Sequence, residues 1–156
     1  MSAAAIRYFE DYEIGQTFET ESIEVTAAAI ERFATEYDPQ VYHRADAAAG
    51  TMFGRLIASG WQTAAYTMRM IVDSGAFPPS GAVGAGVDEL RWLKPVYPGD
   101  TLHVVVRVES LKAKPGKTHG FVRFRVLTRN QQGEDVMTEW TTALVERREP
   151  SPAVAE

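Results

Sequence analysis

Residues 58–75, ASGWQTAAYTMRMIVDSG, predict the central element of the fold. Ser59 and Gln62 have the spacing of a capping box at a helix start, and the closing glycine favours a helix end. Only Arg69 and Asp73 are charged, so we expect a helix buried at the centre of the domain. The side chains expected to form its buried face recur at helical spacing, and they are Trp61, Ala64, Ala65, Met68, Ile71 and Val72.

Downstream of this helix the pattern changes to that of strands. Four segments are rich in Val, Leu, Phe, Trp and Thr, and they cover residues 83–96, 101–111, 118–129 and 135–147. Short turns containing Gly connect these segments, which predicts antiparallel neighbours. We therefore expect an α+β fold in which a long antiparallel sheet is wrapped around one apolar helix.

Upstream of the central helix, the sequence predicts one strand and one further helix. Residues 17–25 alternate well enough for a strand. Thr26 can then cap a helix whose apolar face includes Ile30, Phe33, Ala34 and Tyr37. Pro39 ends this helix, because the residue before a proline avoids the helical region. Residues 40–57 are expected to form a loop with at most a short helical turn.

Composition limits what the chain can be. It has 156 residues, of which 45% are hydrophobic, and this suits a single domain, residues 1–156, with a core at about residues 12–147. The Pro-containing tail from residue 148 is expected to be flexible. The net charge of −5 argues against broad nucleic-acid binding. The absence of cysteine excludes disulfides, thiolate nucleophiles and Cys-ligated zinc. Lacking an apolar leader or a spanning segment, the protein is expected in the cytoplasm, without membrane association.

A carboxylate and an imidazole stand at the end of the first predicted helix. Asp38 closes that helix, Pro39 turns the chain, and His43 follows the bend. Such a pair can share general acid–base work. Asp38 could equally cap local N–H groups while His43 lies at the surface, since the spacing alone is common. The other two histidines, His103 and His119, have no metal-ligand spacing, and we expect no metal site.

A second feature points to chemistry at a carbonyl group. With Ser59 as the N-cap, the N–H groups of Gly60 and Trp61 are expected to lack partners within the helix. The positive end of the helix dipole lies at the same place, so this tip could hold the oxygen of a polarised carbonyl. Ordinary capping would also explain Ser59. As a nucleophile Ser59 is a weak candidate, because the Gly-x-Ser-x-Gly elbow is missing.

Three stretches together resemble the MaoC-like family of hot-dog-fold hydratases, which includes the (R)-specific enoyl-CoA hydratases. They are YDPQVYH at 37–43 with Ala49 following, LIASGWQTAA at 56–65 and RWLKPVYPGDTL at 91–102. Many family members carry Asn-Pro inside the first motif, where this chain has Pro-Gln-Val. The departure puts the shape of the loop in doubt, but the spacing between Asp38 and His43 is kept.

The resemblance implies a hot-dog fold and reversible addition of water across the 2,3 double bond of an enoyl thioester, giving an (R)-3-hydroxyacyl-CoA. Asp38 and His43 would hold and activate the water, the N–H of Gly60 would polarise the thioester carbonyl, and Ser59 would orient nearby groups. No cofactor would be needed, because coenzyme A is part of the acyl-CoA substrate. A homodimer with sheets joined edge to edge is also implied.

Two other functions stay open at this point: a hot-dog acyl-CoA thioesterase and a non-catalytic acyl-CoA-binding module. The carrier could be coenzyme A or acyl-carrier protein. Cations that could meet the carrier phosphates are Lys112, Lys114 and Lys117 on one hairpin, or Arg91 and Lys94, although a lysine-rich turn also serves simply to protect a sheet edge. Candidates to line the acyl pocket are Phe53, Trp61, Tyr66, Met68 and Trp92.

Overall fold

A computed structural model describes residues 5–149 of the chain. The described part contains the helices α1 (Ala27–Tyr37) and α2 (Gly60–Asp73). Its strands are β1 (Thr17–Glu19), β2 (Ile23–Glu24), β3 (Val83–Trp92), β4 (Thr101–Ala113), β5 (His119–Arg129) and β6 (Asp135–Glu146). Short 3-10 turns lie at Phe9–Asp11, Val41–His43 and Ala48–Gly50. Over this part of the chain, neither helix has the length and apolar character that crossing a bilayer requires.

All strand pairings in the sheet are antiparallel. The order is β1-β4-β5-β6-β3, and β2 also pairs with β4. Met70 and Ile71 of α2 pack into the core formed with the inward side chains of β4 and β5, among them Val106 and Phe124. The predicted α+β architecture, a long antiparallel sheet with a central helix, is confirmed.

The predicted buried face of α2 is wrong in most of its members. Trp61, Met68 and Val72 are 60%, 42% and 53% exposed. The side chains that face the sheet include polar ones, and the buried set is Gln62, Thr63, Thr67, Met70 and Ile71. A hydrogen bond of 2.7 Å between the hydroxyl groups of Thr67 and Thr128 explains how polar groups are accommodated there. The apolar stripe therefore faces outward.

The single strand predicted over residues 17–25 is in fact divided into β1 and β2. At Thr20 the side chain replaces part of the backbone ladder, because its hydroxyl accepts the N–H of Val104 at 2.9 Å. The N–H of Thr20 still donates to the carbonyl of Val104 at 3.1 Å. The next two residues leave the ladder before β2 pairs again with β4.

The structure differs from the prediction at the end of β3 and at the start of the C-terminal tail. Strand β3 stops at Trp92 instead of residue 96, because the N–H groups of Leu93 and Lys94 both donate to the carbonyl of Val136, and Pro95 has no N–H with which to resume the ladder. Of the tail predicted to be flexible, residues 150–156 lie outside the described residues. At its beginning Arg148 is held, because its N–H donates to Glu10 at 2.9 Å and its guanidinium to Asp11 at 2.6 Å.

Candidate active site

The end of α1 brings Asp38 and His43 together. Asp38 follows the last helical residue with φ −151° and ψ 70°, which turns the chain out of the helix before Pro39. A single 3-10 turn then returns His43, and its Nε2 lies 3.3 Å from Oδ2 of Asp38. The two side chains are 8% and 14% exposed, so the pair is largely shielded from solvent.

The backbone of Ile57 fixes the tautomer of His43. Nδ1 of the ring lies 2.8 Å from the carbonyl oxygen of Ile57, which can only accept, so Nδ1 carries a hydrogen. The N–H of Ile57 in turn donates to the carbonyl of Tyr42 at 3.1 Å, which ties the two segments together. Nε2 faces Asp38: in the protonated ring it donates to the carboxylate, and in the neutral ring it is the basic nitrogen.

Two side chains hold the carboxylate of Asp38. The hydroxyl of Ser59 donates to Oδ2 at 2.7 Å, and the amide of Gln40 donates to Oδ1 at 2.6 Å. Burial alone would raise the pKa of Asp38, but the hydrogen bonds from Ser59 and Gln40, together with the charge of His43, outweigh burial and hold the pKa below its ordinary value. Asp38 is therefore ionised at neutral pH and oriented through both oxygens.

The start of α2 differs in detail from the predicted capping box. Ser59 is the N-cap, but its hydroxyl accepts the N–H of Trp61 at 3.2 Å, so that N–H is not free as expected. Gln62 does not return to the backbone of Ser59, and its buried Oε1 has no hydrogen-bond partner among the described residues. Within the same part of the chain, nothing accepts a hydrogen bond from the N–H of Gly60. This group keeps its capacity to bind a ligand oxygen at the positive end of the helix.

A cavity of about 470 Å³ contains all four predicted site residues, Asp38, His43, Ser59 and Gly60. The apolar part of its wall includes Phe53, Trp61 and Trp92, as expected. Tyr66 and Met68 do not line it, because Tyr66 packs against the core and Met68 lies on the outward face of α2. The cavity thus places the Asp38–His43 pair and an N–H without a partner among the described residues beside an apolar surface.

The predicted cations are divided between two places. Lys94 lines the cavity, but its ammonium pairs with Glu134, which is not part of the cavity wall. Arg91 is not part of the cavity wall. The three hairpin lysines border a separate cleft with Phe121 and Leu144. The hairpin therefore does not contribute to the cavity of its own chain.

Two contacts of the site were not predicted from the sequence. From the sequence, Gln40 was noted only as part of the Pro-Gln-Val departure from the family motif, and no contact was predicted for it. Its position two residues after Asp38 nevertheless places it within reach of that carboxylate. No sequence pattern could have predicted the contact with the carbonyl of Ile57, since any residue type supplies a backbone carbonyl. Both contacts restrict the orientation of the Asp38–His43 pair.

Comparisons with known proteins identify the family of the chain. The protein-family model described as the MaoC like domain matches residues 10–130 of this sequence. The crystal structure of the MaoC-like dehydratase from Rhodospirillum rubrum superposes with a TM-score of 0.84 at 41% identity, covering 91% of this chain and 98% of that chain. The R-hydratase PhaJ1 from Pseudomonas aeruginosa gives a TM-score of 0.75 at 26% identity, covering 96% of this chain and 92% of the other.

One relative of known name is about twice as long as this chain. Mesaconyl-CoA hydratase from Cereibacter sphaeroides is 31% identical over 170 residues, which cover 100% of this chain and 47% of the relative. The chain therefore spans about half the length of that hydratase. The family match extends over most of the sequence and includes Asp38, His43, Ser59 and Gly60. The chain belongs to the MaoC-like dehydratase family and has its hot-dog fold.

Proposed function

We propose that the protein catalyses the reversible addition of water across the 2,3 double bond of an enoyl-CoA, giving an (R)-3-hydroxyacyl-CoA. The observation that carries this proposal is the meeting of Asp38 and His43 with the start of α2 in one cavity. The names of the related R-hydratase and mesaconyl-CoA hydratase support the same reaction class.

In the proposed hydration, one water in the cavity contacts both Nε2 of His43 and the carboxylate of Asp38, which are themselves in direct contact. The basic nitrogen draws a proton from the water while its oxygen bonds to C3 of the substrate. The electron pair of the double bond moves toward the carbonyl, and C2 then takes a proton from the same pair of side chains. The balance is one water consumed and one C–O and one C–H bond formed. Dehydration runs through the same steps in reverse.

The N–H of Gly60 would stabilise the negative charge that develops on the thioester oxygen. A fixed donor at this oxygen contributes more in the transition state than in the ground state, and its loss typically lowers the rate by about a hundredfold to a thousandfold. Ser59 does not act as a nucleophile in this scheme. Its hydroxyl is committed to Asp38, so it aligns the carboxylate with the helix start.

The proposed assembly is a homodimer formed along β3. This strand pairs with β6 on one side, and its other edge meets no strand within residues 5–149. Val83 and Val87 on β3 are 65% and 52% exposed, and the apolar stripe of α2 is exposed as well. A second copy of the chain would cover an open strand edge and an apolar helix face at once. No cofactor is part of the proposal, because coenzyme A belongs to the substrate.

The decisive assay follows the absorbance of the conjugated thioester of crotonyl-CoA, and of longer and branched enoyl-CoAs, on mixing with the purified chain. Loss of absorbance without release of free thiol is expected, and chiral analysis should identify the (R)-alcohol. Asp38→Asn and His43→Ala should each abolish most of the turnover. Release of free thiol would favour thioester hydrolysis instead. Saturable acyl-CoA binding without turnover would favour a binding module.

A further inference from the structure

The first residue of α2 lies against the indole ring of Trp92. A Cβ atom built on Gly60 would come within 2.5 Å, 2.6 Å and 2.7 Å of three atoms of that ring, closer than real side chains approach. The ring in its present place therefore leaves no room for any side chain larger than that of glycine at position 60. The indole is in direct contact with the backbone that carries the proposed oxyanion donor.

A directed hydrogen bond adds to this contact. Nε1 of Trp92 donates to the carbonyl oxygen of Gly60 at 2.8 Å. Gly60 is the first residue of α2, so this bond adds to the helical contacts and restrains the helix start at the residue whose N–H lacks a partner among the described residues. The preceding segment is held too, because the N–H of Ala58 donates to the carbonyl of Val96 at 2.8 Å.

The ring itself is anchored in the sheet. Trp92 is the last residue of β3 and is paired with Met137 of β6. The next residue, Leu93, donates its N–H to the carbonyl of Val136 at 2.8 Å. The ring of Trp61 stands edge-on to that of Trp92, with centroids 5.0 Å apart at 81°, and limits its rotation.

We propose that Trp92 is a positioning residue that holds the backbone of Gly60 so that its N–H points into the cavity. This inference rests on the proposed function, in which that N–H binds the thioester oxygen. Trp92 does not itself touch the reacting atoms in this scheme. Its part is to link the helix start to the sheet by one hydrogen bond and one ring face.

The test compares Trp92→Phe, which keeps an aromatic ring but loses the donor, with the wild type. We expect kcat for enoyl-CoA hydration to fall about tenfold with KM changed less than about twofold, because the donor acts mainly in the transition state. Trp140→Phe is the matched control. Trp140 lies away from the cavity, beside the guanidinium groups of Arg123 and Arg125, and its replacement should leave kcat unchanged.

A second readout does not depend on turnover. The amide signal of Gly60 in a ¹H–¹⁵N spectrum should shift, and its hydrogen exchange should accelerate, in Trp92→Phe and not in Trp140→Phe. If the phenylalanine variant does not fold, 3-benzothienylalanine at position 92 keeps the size of the indole and replaces its N–H by sulfur.

The outcomes separate this inference from the proposed function. An active wild type whose kcat and Gly60 amide signal are both unchanged by loss of the indole donor would overturn the role of Trp92. A shifted amide signal in a protein that hydrates no enoyl-CoA would support the positioning contact and refute the reaction. A change in KM alone would assign Trp92 to substrate binding and also overturn the inference.

Discussion

The hydroxyl of Ser59 donates a 2.7 Å hydrogen bond to Oδ2 of Asp38, a residue 21 positions earlier in the chain. This bond joins the end of α1 to the start of α2. The same carboxylate oxygen faces Nε2 of His43, and the hydroxyl also accepts the N–H of Trp61. One side chain thereby aligns the acid–base pair with the helix tip that would receive the thioester carbonyl.

Replacement of Asp38 by asparagine should remove the charge while keeping the size of the side chain. We expect kcat/KM for enoyl-CoA hydration to fall by at least about a hundredfold, since proton transfer by a positioned group typically contributes that much. Stopped-flow or steady-state absorbance measures the change. Asp46→Asn is the control, because Asp46 is 68% exposed and pairs with Arg44 away from the cavity. Equal activity of Asp38→Asn and the control would remove Asp38 from the mechanism.

Ser59→Ala should raise the pKa of the Asp38 carboxyl group. The Ser59 hydrogen bond helps to lower this pKa, so its loss should move the pKa toward the ordinary value of 3.8. A pH titration of the side-chain carboxyl ¹³C signal of Asp38 in the two proteins measures this shift.

Thr26→Ala is the matched control for Ser59→Ala, because Thr26 caps α1 through the N–H of Ala29. Both variants lose an N-cap, and each should be less stable by about 1 kcal/mol. Only the Ser59 variant should change the pKa of Asp38. An Asp38 pKa that stays in place in both variants would show that Ser59 is a cap alone.

Glu139 makes stability depend on pH in the opposite direction to Asp38. Glu139 is 5% exposed, and burial raises its pKa above the ordinary value of 4.5 although Thr141 donates a hydrogen bond to it. The folded state therefore holds the proton more tightly than the unfolded state. Stability contributed by this proton is present below the unfolded pKa and is lost as pH rises through the raised folded pKa.

Glu139→Gln should consequently raise Tm at pH 7 and have little effect near pH 4, because the amide cannot ionise and can still accept from Thr141. Thermal unfolding followed by circular dichroism across this range measures the difference. The exposed Glu36 on α1 provides the control as Glu36→Gln. A Tm difference between Glu139→Gln and the wild type that does not grow with pH would contradict the raised pKa of Glu139.

Val87→Lys should disrupt the proposed dimer. Val87 is half exposed on the open edge of β3, so a lysine there would bring a charge into the edge-to-edge pairing of two copies. Size-exclusion chromatography with light scattering should give a dimer mass for the wild type and a monomer mass for the variant. Ile14→Lys is the control, because Ile14 is 68% exposed and lies outside β3. A monomeric wild type would refute the assembly.

Helix α2 shows what the sequence could and could not predict. Periodicity and the flanking Ser59 and Gly75 located the helix to within a residue. The prediction of which face is buried was wrong, because an apolar stripe does not reveal whether the same chain or another molecule covers it. Polar Thr67 faces the sheet only because Thr128 lies opposite, and that pairing depends on a contact 61 positions away.

The site was predictable to a similar extent. The order of motifs in the sequence identified Asp38, His43, Ser59 and Gly60, and the structure brings all four to one cavity. Local spacing could not show that Ser59 binds Asp38 instead of completing a capping box with Gln62. Such contacts depend on how α1 docks beside α2, which is decided by tertiary packing and not by either segment alone.

The position of Trp92 at the end of an open edge strand has a consequence for how turnover should scale with concentration. The indole that steadies Gly60 belongs to the strand that a second copy would cover. Separation of the proposed dimer would free this strand and loosen its terminal ring. Specific activity per subunit should then decline on dilution, and a covalently tethered pair of subunits should resist that decline.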